Sequence, residues 1–176
     1  MNFEQLKSEK ELAWEAKKEE VDHIVDGLGL GIDEKIKEPV TSLLAHEFPT
    51  NASCEGHIAE ENEGRGLPYP WVEIYAPEPD GWEKSEEKQQ EWTAENLKQR
   101  ARMSDFLDEF YSQAENPDEA QLTLEDKGIY GAFRLRSFGA DAAESLDIEA
   151  RKKKLELYRA EMNNFSQFMK KKYFTE

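Results

Sequence analysis

The chain has 176 residues and a formal charge of −16, with 35% charged and 38% hydrophobic residues. That length suits one domain, 1–176, and the aromatic content supplies core material, which argues against a disordered chain. The acidic balance disfavours broad nucleic-acid binding, because it repels phosphate backbones.

No apolar run approaches the ~20 residues that span a bilayer, so no membrane association is expected. The opening residues lack a signal peptide's apolar core, and a single cysteine cannot make an internal disulfide framework. A cytoplasmic protein is expected. Charge is unevenly spread: residues 126–176 hold 11 basic against 8 acidic groups. A local basic patch there would suit a small anionic ligand.

Taken in order, the apolar positions Phe3, Leu6, Trp14, Val21, Ile24 and Val25 predict an N-terminal helix over about 3–25. "DGLGLG" (Asp26–Gly31) ends it. This run follows a helix rather than a strand, so it lacks the context of a phosphate-binding loop. Asp33 reads as the N-cap of a second helix over about 34–46, with Ile36, Val40, Leu43 and Leu44 on its buried stripe and Pro39 within its span. "FPTNAS" reads as a turn leading out.

The acidic "AEENEGRG" piece reads as a loop and "WVEIYA" as a strand. A long helix is predicted over about 84–113, carrying Trp92, Leu97, Phe106, Leu107, Phe110 and Tyr111, and "ENPDEA" closes it. "QLTLED" and "GIYGAFRLRSFGA" read as strands, the second with Phe133 and Leu135 on one face and Arg134 and Arg136 on the other. The last helix, about 143–173, buries Leu155, Tyr158, Met162, Phe165 and Met169. Helices flank short strands without βαβ alternation. The expected fold is α+β, a small mostly antiparallel sheet packed with four or five helices.

The chemistry-bearing residue types gather in "TNASCEGHIAE". It holds the only cysteine, Cys54, and one of three histidines, His57. A thiol reacts or ligates as the thiolate, so its pKa must fall for either role. Gly56 permits a tight turn that would bring His57 and backbone N–H groups to the sulfur, and Glu55 would act as acid/base or orient the imidazole. The competing reading is a buried cysteine beside a turn. Cys54 and His57 make only one C-x-x-H half of a structural zinc pattern. The other half would have to come from His23, His46 or distant carboxylates, and no metal is assigned.

Pro68 and Pro70 stiffen the backbone around Tyr69, and Trp71 follows. The candidate pocket is therefore Ser53, Cys54, Glu55, Gly56, His57, Tyr69 and Trp71, with Arg134 and Arg136 as cationic additions. No cofactor or catalytic residue is assigned.

The run Gly29–Ile74, with its Thr-x-x-Ser-Cys-x-Gly-His string and Gly-Leu-Pro-Tyr-Pro-Trp, resembles a group of small uncharacterised bacterial proteins. That resemblance implies a shared site. A weaker similarity is to the wybutosine-synthesising tRNA methyltransferases. Ser53, Cys54 and Gly56 match their motif, while Glu55 and His57 stand where that family has serine and arginine. It would imply S-adenosylmethionine-dependent RNA modification. The expectation carried forward is a small-ligand or substrate pocket around the Ser-Cys-Glu-Gly-His loop. Its rivals are a protein-interaction module using the long charged helices, and that RNA-modifying enzyme.

Overall fold

A computed structural model describes residues 7–25, 29–58, 67–113 and 118–176. Part of Asp26–Gly31, the "AEENEGRG" loop, the first half of "ENPDEA" and the first residues of the expected N-terminal helix lie outside this range.

Helix α1 spans Glu9–His23 and begins at a capping box, in which the Ser8 side chain accepts from the Glu11 N–H and the Glu11 carboxylate accepts from the Ser8 N–H. A single 3₁₀ turn, Glu34–Ile36, leads into α2, Lys37–Ala45. Pro39 sits in the first turn of α2, where its missing N–H would have had no intrahelical partner, so the helix is not broken. Strands β1 (Thr50–Cys54) and β2 (Trp71–Ile74) follow, then α3 (Glu86–Tyr111), β3 (Leu122–Lys127), β4 (Ala132–Ser137), the short α4 (Ala140–Ala143) and α5 (Ile148–Thr175).

The four strands form one antiparallel sheet in the order β1-β2-β4-β3. With five helices beside it, the fold is α+β, as the pattern of elements predicts. Among the described residues no helix is long and apolar enough to cross a membrane.

Register decides which face each side chain takes. Val72, Leu135 and Leu124 lie opposite one another across β2, β4 and β3, and Ile74 lies opposite Phe133. This face meets Val40 and Leu43 of α2, Met103 and Leu107 of α3, and Met162, Phe165 and Met169 of α5 in one core. By area, each such fully buried side chain contributes about 1.5–3 kcal/mol. Deep in this layer the hydroxyls of Ser42 and Ser166 bond to each other at 2.7 Å, tying α2 to α5.

Three elements differ from the sequence reading. "TNASC" forms β1, although Asn51 and Ala52 are poor strand formers; pairing with β2 holds them, across a register irregularity between Thr50 and Ala52. Gly128–Gly131 is the β3–β4 turn rather than the start of a strand. Both its glycines have positive φ, +64° and +77°, a region that admits glycine without strain.

On α3, Leu97 is exposed while Asn96 is fully buried. The Asn96 side chain accepts from the Ala76 N–H at 2.7 Å and donates to the Tyr130 carbonyl at 3.0 Å. Trp92 Nε1 donates to the Ala76 carbonyl at 2.8 Å. These bonds dock the exit of β2 and the β3–β4 turn onto α3, a job that hydrophobic periodicity does not reveal.

Candidate functional site

The Ser-Cys-Glu-Gly-His segment is where β1 leaves the sheet. Gly56 turns the chain with φ +81°. A Cβ there would fall 2.6 Å from the Tyr69 carbonyl carbon and 2.6 Å from Leu155 Cδ1, so only glycine fits. The backbone then returns to the incoming segment through a 2.8 Å bond from the His57 N–H to the Leu67 carbonyl.

Arg159 of α5 holds this turn from beneath. Its Nε donates to the Glu55 carbonyl at 2.9 Å, and its Nη2 donates to the Gly56 carbonyl at 2.7 Å and to Glu55 Oε1 at 3.1 Å. The other carboxylate oxygen of Glu55 accepts from the Lys35 N–H at 2.9 Å. Glu55 is therefore committed to holding the loop, and it does not orient the imidazole. Arg159 had no signature in the sequence beyond a basic position on a long helix.

Asp33 takes the role expected of Glu55. The sequence reading makes it an N-cap, but its side chain makes no capping bond. Instead Asp33 Oδ2 crosses to the loop. It accepts from the Glu55 N–H at 3.1 Å and from His57 Nε2, also at 3.1 Å, which makes Nε2 the protonated nitrogen. Cys54 Sγ accepts from the Gly56 N–H at 3.3 Å. One ligand atom each from Asp33, Cys54 and His57 can be chosen so that all lie within 4.8 Å of one another.

Burial raises the Cys54 thiol above its ordinary pKa. The Gly56 N–H opposes that shift, and the carboxylates of Asp33 and Glu55 add to it. At neutral pH the metal-free residue is a thiol. That departs from the lowered value a nucleophile needs, because the sulfur is partly buried and the charges acting on it are carboxylates.

A cavity of about 390 Å³ opens beside this cluster. Its apolar wall is Ile24, Val25, Leu30, Ile32 and Val40, and its polar side is Asp33, Thr50, Asn51 and Ser53. Asp33 thus belongs to both cavity and cluster.

The remaining expected site residues sit elsewhere. Tyr69 is buried with Ala120, Ala140, Ala143 and Tyr158 in a second small core. Its hydroxyl donates to Glu144 at 3.2 Å, and burial followed by the Glu144 charge pushes its pKa up to about 12. Trp71 lies opposite Cys54 on one side and Arg136 on the other. The Arg134 guanidinium stacks 4.0 Å from its ring centre.

The two arginines are engaged with carboxylates on the sheet. Arg134 contacts Glu73 at 3.4 Å and Glu125 at 3.8 Å. Arg136 Nη2 donates to Asp141 at 2.9 Å, and its Nε lies 3.2 Å from Glu125 as a charge contact outside hydrogen-bonding geometry. Of the nine expected site residues, Ser53, Cys54, Glu55, Gly56 and His57 lie at one turn, Trp71 pairs with Cys54 across the strands, and the Tyr69 backbone packs on Gly56. The Arg134 and Arg136 side chains sit among Glu73, Glu125 and Asp141.

Comparison with family models, curated proteins and solved structures returned no match.

Proposed function

We propose that this protein binds a small ligand in the cavity between β1 and the segment Leu30–Asp33, with the Ser-Cys-Glu-Gly-His loop at its edge. The cavity itself carries the reading: about 390 Å³, apolar on one side, with Asp33, Asn51 and Ser53 grouped on the other. Small-molecule sites share that size and make-up, an apolar body with a few polar groups that fix orientation. Among the described residues the lining contains a carboxylate and no lysine or arginine. That favours a neutral or cationic ligand over the small anion expected from Arg134 and Arg136, whose charges are spent on Glu73, Glu125 and Asp141. The proposed setting is the cytoplasm, where a lone thiol stays reduced.

An interaction surface on the long helices has less support. The apolar stripes of α3 and α5 are buried in the shared core, leaving Leu97 and Phe174 as their exposed large apolar residues.

Nile red, a neutral apolar dye, tests the reading. Wild-type protein is expected to bind it saturably at one equivalent with blue-shifted emission. Ala52→Trp places an indole in the cavity lining and is expected to abolish that binding while leaving the circular dichroism spectrum unchanged. Equal binding by both proteins, or none by wild type, contradicts the reading.

A further inference from the structure

We propose that Asp33, Cys54 and His57 form a binding site for a single divalent transition-metal ion of the zinc or cobalt class. The inference stands on these three side chains and does not depend on what fills the neighbouring cavity.

The ligand set is the first argument. One thiolate, one imidazole and one carboxylate are donors that borderline ions such as Zn²⁺ accept together. Around a tetrahedral ion with ligand distances of about 2.0–2.3 Å, neighbouring donor atoms lie roughly 3.3–3.8 Å apart. Here the imidazole and carboxylate are already at 3.1 Å, and the three chosen donor atoms fall within 4.8 Å. Side-chain rotation of about an ångström would close that gap.

The second argument is the support behind the donors. Ligands of a metal are oriented by hydrogen bonds from groups that do not touch the ion. The Gly56 N–H already points at Cys54 Sγ, and the Glu55 N–H at Asp33 Oδ2. Both amides belong to the turn that Arg159 holds with three hydrogen bonds. The loop is thus fixed by contacts that metal binding would leave in place. The contact that would be replaced is the Asp33–His57 bond, whose two atoms would meet across the ion.

Charge is the third. Asp33 and a Cys54 thiolate would place two anions side by side. Among the described residues the nearby cations are engaged elsewhere: Arg159 with Glu55 and Glu156, Lys35 with Glu156. An added dication compensates both anions. Binding exchanges the thiol proton for the metal: the S–H bond breaks, the S–metal bond forms, and that proton passes to solvent, while the imidazole proton moves from Nε2 to Nδ1 so that the Nε2 lone pair can ligate. Three protein donors leave a fourth position for water. The His57 side chain is 47% exposed, so the site is open to solvent. Asp33 also lines the cavity, which sets that position beside any bound small molecule.

Cobalt titration tests the site directly, because a thiolate bound to Co²⁺ gives a near-ultraviolet charge-transfer band that carboxylates alone cannot give. Wild-type protein is expected to take up one equivalent of Co²⁺ with that band and with proton release. Zinc is expected to displace the cobalt and bleach the spectrum. Cys54→Ser is expected to lose the band. His57→Ala alters an exposed side chain and should stay folded; it is expected to weaken cobalt binding by about 100-fold or more, beyond the ~10–100-fold typical of losing a ligand's supporting partner. No charge-transfer band in wild type, or an affinity unchanged in folded His57→Ala, overturns the proposal. Nile red binding is read separately, so failure of the metal site and failure of the cavity are distinguishable.

Discussion

Cys54, Trp71, Arg136 and Thr123 lie in one cross-strand row, and the surroundings of Cys54 and of Arg136 differ in character. Around Arg136 the cations are paired: two arginines meet Glu73, Glu125 and Asp141. Around Cys54 a carboxylate, a thiol and an imidazole converge, and Arg159 beneath them is matched to Glu55 and Glu156. The two clusters are two strands apart, about 10 Å. Residue type alone made the arginines look like a binding site. Pairing makes them part of the scaffold and leaves the cysteine end as the place where a cation would fit.

The largest expected effect tests whether the cysteine end is as rigid as its hydrogen bonds suggest. Gly56→Ala forces a Cβ into the backbone of Tyr69 at positive φ. Left-handed backbone and overpacking together should cost about 3 kcal/mol. Urea unfolding measures it, and a loss below ~1 kcal/mol would mean that the turn gives way and is not preorganised.

A smaller effect separates the two ends. Arg136→Met leaves Asp141 without its arginine and Glu125 with Arg134 alone. A fully buried pair would cost about 3–5 kcal/mol to break. Asp141 is mostly exposed, so about 2 kcal/mol is expected here. Cobalt affinity should not change, since the partners of Arg136, Glu125 and Asp141, are not members of the Asp33–Cys54–His57 cluster. A parallel loss of stability and cobalt binding would show that the clusters act as one site.

The legibility of the fold followed periodicity. The stripe Leu155, Tyr158, Met162, Phe165, Met169 and the alternation Phe133, Leu135 against Arg134, Arg136 could be read because burial repeats along the chain, and the register confirms both faces. Strand β1 could not be read that way, since Asn51 and Ala52 owe their conformation to pairing with β2.

The site was half legible. Rarity drew attention to Cys54 and His57, and the glycine between them marked the turn. Asp33 and Arg159 come from segments 21 and 105 positions from Cys54, and only the packing of α5 and the α2 entry against β1 brings them in. Asp33 is especially instructive. A helix-start aspartate is normally read as a cap, yet its carboxylate found stronger partners across the loop.

The most direct test of the account is the alkylation rate of Cys54 against pH, in protein stripped of metal and after one equivalent of Zn²⁺. As the only cysteine, it gives a single signal. Without metal, burial and the neighbouring carboxylates should move the midpoint of the rate above the ~8.5 of a free thiol. With zinc, alkylation near neutral pH should be suppressed, and a chelator should restore it. A midpoint well below ~8.5 with no response to zinc would contradict the account and make Cys54 an activated nucleophile instead.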